Sequence, residues 1–488
     1  MLSTAARQLR YAASVLSGGR FDVAGLRATV ADLRDTIDEL GDPGHDAREL
    51  LPGGEAADPE IQQAMAQRRV RQAVRRAAEE TAYYRLLFSE RGLTPDRITL
   101  DQLHTVPSTP KSALRGAPAA FVSDRSEPIL MAQTTGTTGP PTVVWFSRYE
   151  MELSAALSAL SYLMIGGVRS HHVSMSCVSS RATVGLITVQ QALGQIGAGF
   201  IAQGLVDPSI TLDRLATPLH LPGKEPQVTD LYTVPSYLAA LVQRGEQEGW
   251  KPADFGLRQI LTGAEILTDG LRERVTEVFG VEVTDVYGMT ELVPTTGIVC
   301  GQRHLHLAVE QAHFEVLALD SDEPAAPGEI GEVVATPYAP YRDTTLLLRY
   351  RTGDLVRRLT EQPSDCELAA LPATSPIVGR AKHYAGGPTT RDVLEVLQAE
   401  RGIPLPTRFS LSGDPRRPAL HVVVPGGDPA TLSSVEERAA ARGLSVSEIR
   451  LVDDVGMLPE PCRVRADLYE HSFEVPRSAP LINHAMSV

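Results

Sequence analysis

The stretch TTGTTGPPT, from Thr134 to Thr142, is rich in glycine and in hydroxyl side chains. Gly136 and Gly139 allow unusual backbone dihedral angles, so the chain can approach a phosphate group closely. Successive N–H groups in such a turn can form an anion-binding nest. The spacing is not that of G-x-x-x-x-G-K-[ST], because Pro140 and Pro141 follow the last glycine. Taken alone, such a stretch is more typical of a plain turn between strands.

The chain around this stretch alternates strand-like and helix-like segments between about residues 128 and 350. Short apolar runs such as PTVVWFS and VEVTDVYG are separated by helical patterns such as DGLRERVTEVF. This alternation predicts an α/β fold. Beyond a boundary near residues 372–380, the helical and strand patterns are mixed. We therefore predict a large layered N-terminal body of mixed sheets and helices, with a small mobile α+β C-terminal domain.

Three regions are predicted along the chain: a helical N-terminal extension over residues 1–80, a body over residues 81–378, and a C-terminal lid over residues 379–488. The apolar residues of the extension recur at alternating steps of three and four, and they are Val23, Leu26, Val30, Leu33, Ile37 and Leu40. This spacing places them on one helix face. That face either packs on the body or forms a short coiled-coil contact in a homodimer.

The composition argues against several classes of function. The 488 residues include 60 acidic and 46 basic side chains, which give a net charge of −14, and 5% are aromatic. Such a chain is poorly suited to generic binding of nucleic acid or anionic membrane. Arginines interrupt the apolar N-terminal residues, which therefore make a poor secretory signal. We expect a cytoplasmic protein that binds neither nucleic acid nor membrane.

Cysteine and lysine are both rare. The cysteines are Cys177, Cys300, Cys366 and Cys462. They show no C-x-x-C spacing and no metal-ligand cluster nearby, so we predict reduced thiols, with Cys177 a small buried residue and not a nucleophile. The lysines are Lys111, Lys224, Lys251 and Lys382, and arginine replaces lysine almost everywhere else. Lysine is therefore informative where the chemistry requires an ammonium group.

A second motif is DVYGMTE, from Asp285 to Glu291, at the predicted end of a strand. Gly288 allows a sharp turn there, and Tyr287 offers a flat face for a base. Thr290 supplies a hydroxyl. Glu291 supplies a carboxylate, which Mg²⁺ takes together with substrate phosphates. Taken alone, this motif too is more typical of a surface turn.

Two further motifs, LRYRTGDL and VGRAKHYAGG, follow towards the predicted domain boundary. Asp354 in the first is suited to accept hydrogen bonds from two ribose hydroxyls. Arg349 and Arg351 are either salt-bridged structural residues or ligand contacts. In the second motif, Arg380 could reach a ribose or a phosphate, and Lys382 stands where the C-terminal domain begins.

The four motifs, in this order and at these spacings, resemble the adenylate-forming superfamily of acyl-CoA synthetases, peptide-synthetase adenylation domains and luciferases. The upstream segment YYRLLFSERGLTPDRITLDQLHTVPSTPKSALR, with TGAE and HLHLAVEQAHFEVLALD further on, resembles the phenylacetate-CoA ligase branch. The resemblance extends over roughly residues 80–385. It implies an acid–thiol ligase.

In that superfamily a carboxylate attacks the α-phosphate of MgATP, which yields an acyl-adenylate and pyrophosphate. The C-terminal domain then rotates, and a thiol displaces AMP to give a thioester. The resemblance thus implies ATP, AMP, Mg²⁺ and coenzyme A as cofactors. Displacement at phosphorus needs charge neutralisation and positioning more than covalent chemistry from the protein.

The resemblance also implies roles for residues of this chain. The β- and γ-phosphates would be held by Thr134, Thr135, Gly136, Thr137, Thr138 and Gly139. The adenine slot would be lined by Gly263, Ala264 and Glu265, beside Tyr287 and Gly288. Thr290 would touch the α-phosphate, and Glu291 would hold Mg²⁺. Asp354 and Arg380 would bind ribose, and Lys382 would be the hinge.

Two departures from the superfamily pattern concern the ATP half-reaction. The usual loop lysine, which helps to escort pyrophosphate, is replaced by Pro140. The usual C-terminal lysine is missing, since no lysine follows Lys382, and the nearest match is Arg463 in MLPEPCRVRADLYE. Arg463 keeps the positive charge, but its planar fork differs from a compact ammonium. Removal of one such charge typically costs about 10²–10³ in rate.

Three hypotheses follow from these departures. In the first, the chain still adenylates a carboxylic acid, with Arg463 or nothing in place of the lysine. In the second, it has lost adenylation and converts a preformed acyl-AMP to the thioester. In the third, it is a non-catalytic nucleotide-binding partner protein. The intact Thr290, Glu291 and Asp354 speak against the third.

The resemblance suggests an aromatic, arylacetic or other cyclic or bulky acid, and a role in secondary-metabolite biosynthesis. The acceptor thiol belongs to coenzyme A or to a carrier-protein phosphopantetheine arm. The pocket for the acid is expected partly in Ser170 to Phe200, whose small residues either leave room for a bulky acid or pack helices tightly. His171 and His172 either gate this pocket or belong to a surface loop.

Overall fold

The computed structural model describes residues 2–17, 19–41, 59–134, 141–179, 182–294, 296–459 and 470–471. Their α-helices are α1 (Leu2–Ser17), α2 (Val23–Leu40), α3 (Pro59–Glu80), α4 (Ala82–Arg91), α5 (Lys111–Gly116), α6 (Arg148–Met164), α7 (Thr183–Ile196), α8 (Pro208–Ala216), α9 (Pro235–Glu248), α10 (Asp269–Phe279), α11 (Thr390–Leu397) and α12 (Pro429–Ala441). Their strands are β1 (Pro128–Gln133), β2 (Val143–Ser147), β3 (Val173–Cys177), β4 (Gly199–Ala202), β5 (Asp230–Thr233), β6 (Gln259–Gly263), β7 (Val283–Gly288), β8 (Thr296–Val299), β9 (Leu305–Leu307), β10 (Ala312–Leu317), β11 (Ile330–Pro337), β12 (Tyr350–Arg357), β13 (Ala373–Thr374), β14 (Gly379–Arg380), β15 (Phe409–Ser412), β16 (Ala419–Val423), β17 (Glu448–Val452) and β18 (Glu470–His471).

The largest sheet has eight strands in the order β13-β9-β8-β7-β6-β5-β3-β4. Strands β3 to β7 pair in parallel, and β8, β9 and β13 extend the sheet antiparallel. Side chains alternate between the two faces of a sheet along each strand. On one face, Leu231 and Ile260 pack with apolar residues of α8, α9 and α10. On the other face, Tyr232 and Leu261 pack with apolar residues of α6 and α7. The predicted layered α/β body is confirmed.

The carboxyl ends of β6 and β7 lie at one edge of this sheet, where α/β folds commonly bind ligands. A second sheet, of order β10-β11-β12-β14, is antiparallel throughout and carries the Asp354 motif on β12. A hairpin of β1 and β2 brings the ends of the TTGTTGPPT stretch together. Three motifs distant in the sequence therefore belong to three adjoining sheets.

The apolar face of α2 packs on the body of the same chain. Val23, Leu26, Val30 and Ile37 are buried there, and Val30 and Ile37 share a cluster with residues of α6 and α7. Leu40, at the end of α2, is exposed. Of the two predicted arrangements, packing on the body is the one observed, and the homodimer stays a prediction.

Residues 390–452 form a second packed unit. Helices α11 and α12 cover the sheet β17-β16-β15-β18. This unit contacts the body through the first turn of α10, where the Thr268 hydroxyl donates to Gln398 Oε1 at 2.6 Å and the Asp269 N–H donates to Glu395 Oε2 at 3.2 Å. A cleft of about 780 Å³ lies beside this contact.

Among the described residues, no helix is long and apolar enough to cross a membrane.

Candidate active site

The phosphate-loop motif is described only at its base. The Thr134 N–H donates to Thr142 O at 3.0 Å, and the Thr142 N–H donates to Thr134 Oγ1 at 3.0 Å. These two bonds close the hairpin between β1 and β2. The other predicted phosphate contacts lie outside the described residues, and they are Thr135, Gly136, Thr137, Thr138 and Gly139. Pro140, which stands in the position of the usual lysine, also lies outside them.

Glu291 is the most enclosed carboxylate of the predicted site. Its side chain is fully buried, at 0% exposure. Oε1 lies 2.8 Å from Lys111 Nζ and accepts a hydrogen bond from the Tyr350 hydroxyl at 3.0 Å. Oε2 is buried and has no hydrogen-bond partner among the described residues. Because a buried carboxylate oxygen without a partner is costly, Oε2 fits a ligand that arrives with the substrate, and a carboxylate oxygen suits Mg²⁺.

Lys111 was not among the predicted site residues. It opens α5, far from Glu291 in the sequence, and its side chain is 24% exposed. The rarity of lysine could have indicated this residue, since Lys111 is one of four lysines in an arginine-rich chain. Tyr350 was also missed. Burial, together with the nearby Glu291 carboxylate, raises the Tyr350 pKa well above its ordinary value, so the phenol stays protonated and donates.

The predicted ribose site is formed where β7, β12 and β14 meet. Asp354 pairs in register with Arg380, and Arg380 Nη1 lies 2.8 Å from Asp354 Oδ1. The Tyr287 hydroxyl donates to Asp354 Oδ2 at 3.0 Å. Burial and the Asp354 carboxylate raise the pKa of Tyr287 well above its ordinary value, so it remains a donor. Each carboxylate oxygen accepts more than one bond, so the Asp354 contacts are compatible with added ribose hydroxyls.

Arg349 and Arg351 hold β12 in place. Arg349 is fully buried and lies 2.9 Å from Glu315. Arg351 lies 2.9 Å from Asp322 and 2.8 Å from Glu332. Of the two predicted alternatives, the structural salt bridges are the ones observed.

The predicted adenine edge is a tight turn at the carboxyl end of β6. Gly263 pairs with Val286 of β7, and a Cβ on Gly263 would lie 2.5 Å from Val286 O. Ala264 adopts a positive φ of 71°. The Glu265 carboxylate accepts hydrogen bonds from the Ser236 N–H at 2.7 Å and the Ser236 hydroxyl at 3.0 Å, at the start of α9. Glu265 therefore fixes the turn, which leaves the backbone as the part available to a base.

The remaining predicted site residues fall on turns. Gly288 ends β7, and Thr290 lies in the following turn, directly before Glu291. Lys382 lies in a 3₁₀ turn, Ala381–His383, immediately after Arg380. Arg463, the predicted substitute for the C-terminal lysine, lies outside the described residues.

Three predictions about histidine and cysteine have an outcome. Cys177 is fully buried in the core, as predicted. His172 is not a surface residue, since it is 1% exposed and its Nδ1 accepts the Arg169 N–H at 3.2 Å. The prediction that the cysteines have no metal-ligand cluster is wrong for Cys300 and Cys366, because the fold brings both beside two histidines.

Comparison with known proteins agrees with this geometry. The profile of the AMP-binding enzyme family matches residues 55–338, more than half of the chain. The phenylacetate-coenzyme A ligase of Pseudomonas putida is 30% identical over 323 residues, which cover 64% of this chain and 71% of that protein. The enzyme of the same name from Thermus thermophilus is 28% identical over 326 residues, which cover 65% and 70%.

Solved structures show the same fold. A 2-hydroxyisobutyryl-CoA ligase in the postadenylation state, in complex with 2-HIB-AMP, matches with a TM-score of 0.70 at 17% identity, over 88% of this chain and 94% of that one. The same ligase with 2-HIB-AMP and CoA in the thioesterification state matches with a TM-score of 0.58 at 19% identity, over 88% and 94%. From the profile match and the curated relatives, this chain belongs to the AMP-binding enzyme family, the adenylate-forming superfamily, as an acid–thiol ligase similar to the phenylacetate-CoA ligases.

Proposed function

We propose that this chain activates an aromatic or other cyclic carboxylic acid as its acyl-adenylate with MgATP and passes the acyl group to the thiol of coenzyme A. The observation that carries the proposal is the buried Glu291 carboxylate, with Oε1 bound and Oε2 free of partners among the described residues. The class of acid is supported by the two relatives named phenylacetate-coenzyme A ligase. Coenzyme A as the acceptor is supported by the same names.

In adenylation, an acid oxygen forms a bond to the α-phosphorus and the bond to the β-phosphate bridging oxygen breaks, so pyrophosphate leaves. Mg²⁺, when bound at Glu291, would neutralise phosphate charge. Lys111 and Tyr350 hold the Glu291 carboxylate from one side, which leaves Oε2 for the ligand. The Lys111 ammonium adds a positive charge beside this carboxylate, and it is our candidate for part of the charge lost with the two missing lysines.

Asp354, Tyr287 and Arg380 position the nucleotide in this proposal. Tyr287 and Arg380 orient the two Asp354 oxygens, which would accept the ribose hydroxyls. The turn at Gly263 and Ala264, beside β7, offers backbone groups to the adenine edge. Thr290 is one residue from Glu291 and is proposed to contact the α-phosphate.

The thioester step follows at the same site. The thiol sulfur forms a bond to the acyl carbon, the bond from that carbon to the phosphate oxygen breaks, AMP leaves, and the thiol proton is released to solvent. We propose that Lys382, which directly follows the Arg380 strand, is the pivot between the body and the C-terminal unit. A carrier-protein phosphopantetheine arm is the second candidate for the acceptor.

A second reaction scheme is favoured by two observations: Pro140 replaces the loop lysine, and no lysine follows Lys382. Both missing lysines belong to the ATP half-reaction, so the chain could perform the thioester step alone on a preformed acyl-AMP. The two schemes share the ribose site. They differ in whether pyrophosphate chemistry occurs.

Pyrophosphate exchange into ATP tests the proposal, with purified protein, Mg²⁺ and a panel of aromatic, arylacetic, alicyclic and short aliphatic acids. Calorimetry with AMP shows that the nucleotide site is intact. Exchange that depends on one cyclic acid supports adenylation and names the acid. If AMP binds without exchange, synthetic acyl-adenylates with coenzyme A are supplied, and thioester formation then supports the second scheme. Exchange with aliphatic acids alone would overturn the proposed substrate class.

A further inference from the structure

Four side chains of types that can bind a metal meet beside β8, β9 and β13, near one end of the large sheet. Cys300 directly follows β8, His304 directly precedes β9, and His306 lies on β9. Cys366 comes from the segment before β13, whose Ala373 pairs with His306. The four ligand atoms all lie within 4.8 Å of one another.

The hairpin turn between β8 and β9 sets the first pair. The Cys300 N–H donates to His304 O at 2.9 Å, and the His304 N–H donates to Cys300 Sγ at 3.3 Å. Arg303 adopts a positive φ of 64° within this turn. The turn therefore brings Cys300 Sγ to 3.7 Å from His304 Nδ1. This pair is defined by local backbone geometry.

The second pair is defined by contacts between segments. Cys366 Sγ lies 3.3 Å from His306 Nε2. The other ring nitrogen, Nδ1, lies 3.0 Å from Leu371 O. A carbonyl oxygen can only accept, so Nδ1 carries the proton and Nε2 has the free lone pair that a metal needs. Cys300 and His306 are each 2% exposed and Cys366 is 9% exposed, so these three ligands are shielded from water.

Two hydrogen bonds next to the ligands join the same two segments. The Gly301 N–H donates to Glu367 Oε1 at 2.8 Å, and the Gln302 side-chain amide donates to Asp365 O at 3.3 Å. Gly301 and Gln302 directly follow Cys300 in the sequence, and Asp365 and Glu367 flank Cys366. The ligands are therefore held from both sides by partners that do not themselves bind the metal, as in known metal sites.

We propose that Cys300, His304, His306 and Cys366 form a structural Zn²⁺ site. Tetrahedral zinc, with bonds of about 2.3 Å to sulfur and about 2.0 Å to nitrogen, separates a sulfur and a nitrogen ligand by roughly 3.5 Å. The two measured pairs, at 3.7 Å and 3.3 Å, lie on either side of that separation. Two thiolates and two neutral imidazoles suit zinc better than Mg²⁺ or Ca²⁺, which take oxygen ligands.

Binding converts both thiols to thiolates and releases two protons, and the two negative charges balance the Zn²⁺. All four tetrahedral positions are taken by protein atoms, so no position is open for substrate or water, and the role is structural. The site would clamp the β8–β9 hairpin, which follows the Glu291 turn, to the segment between β12 and β14, which carry Asp354 and Arg380. This site would form whichever acid or thiol is the substrate.

The test measures zinc in the full-length protein, produced without a polyhistidine tag and dialysed against a weak chelator. Elemental analysis should give about one zinc ion per chain. Cys366→Ser and His306→Gln should reduce this to below about a tenth of an ion. Cys177→Ala is the matched control, because it removes a buried thiol from β3 and should retain the zinc.

X-ray absorption at the zinc edge identifies the atoms bound to zinc in the wild-type protein. It therefore tests the proposal even if the variants do not fold. Two sulfur neighbours at about 2.3 Å and two nitrogen neighbours at about 2.0 Å are expected. A shell of nitrogen and oxygen alone would overturn the proposal. A zinc-free protein would also overturn it, whether Cys300 and Cys366 are then free thiols or a disulfide, and so would zinc that persists in both ligand variants.

Discussion

The Glu291 corner and the Cys300–Cys366 cluster are both buried polar groups suited to a metal ion, but they differ in what is left open. At Glu291, two protein donors occupy Oε1, and Oε2 has no partner among the described residues. In the cluster, four ligand atoms face one another. An incomplete set of protein ligands suits an ion that arrives with a substrate, whereas a complete set suits an ion that stays. The number of metal ligands that the protein leaves unfilled, more than burial, therefore separates a proposed catalytic metal site from a proposed structural one.

The largest expected effect is at Glu291. Glu291→Gln keeps the size of the side chain but removes the charge that would hold Mg²⁺, so we expect acid-dependent pyrophosphate exchange to fall about 10²–10³-fold. The zinc content should stay at the wild-type value, because the ligand cluster is separate. Unchanged exchange in a folded Glu291→Gln protein would contradict the assignment of this corner as catalytic.

Lys111 should have the next largest effect on rate. Lys111→Met removes the ammonium group 2.8 Å from Glu291 Oε1, and we expect exchange to fall roughly 10–100-fold. Lys111→Arg should recover part of this loss, since the charge remains while the shape changes. Lys251→Met, at an exposed position, is the matched control. If both methionine variants behave alike in steady-state kinetics, Lys111 has no role in adenylation.

Substitutions in the Cys300–Cys366 cluster should affect stability more than rate. Cys366→Ser should lower the thermal unfolding midpoint by roughly 5–10 °C, because a ligand that binds the folded state alone stabilises it. The rate per folded, nucleotide-binding molecule should change far less than in Glu291→Gln. Calorimetric unfolding with and without added Zn²⁺ checks this, and the Zn²⁺-dependent shift should disappear in the variant. A shift of equal size in the variant would assign the zinc effect to another site.

His172 should make stability depend on pH without any metal ion, and we expect this effect to be smaller than those above. Burial, with the nearby Arg258, lowers the His172 pKa to about 4 from an ordinary 6.5. Since the folded-state pKa is below the unfolded-state pKa, the unfolded chain takes up the proton first as the pH falls. The contribution of His172 to stability is therefore complete above pH 6.5, and about 3 kcal/mol of it is lost as the pH falls from 6.5 to 4.

Urea unfolding at pH 7 and pH 5 tests this in wild type and in His172→Asn. The variant should lose less stability on acidification, and any remaining loss that depends on zinc belongs to the cluster. Equal losses in the two proteins would show that His172 does not contribute.

The fold class and most of the residues proposed for the site could be predicted from the sequence alone. Apolar periodicity separates helices from strands because side chains repeat every 3.6 residues on a helix and every two on a strand. The glycines and acidic residues of the four motifs stand in continuous stretches, and the order and spacing of the motifs together made Glu291, Asp354 and Arg380 recognisable. The layered α/β body follows from the same local patterns.

Which of these stretches lie next to one another depends on the packing of the folded chain. Lys111 reaches Glu291 because α5 packs beside β12, and Cys366 reaches His306 because β13 pairs with β9. Neither meeting is encoded by spacing along the chain, since it depends on strand order and register between distant segments. For the same physical reason, His172 proved buried and four scattered residues proved to be a cluster: local propensity fixes elements, and the packing of elements fixes sites.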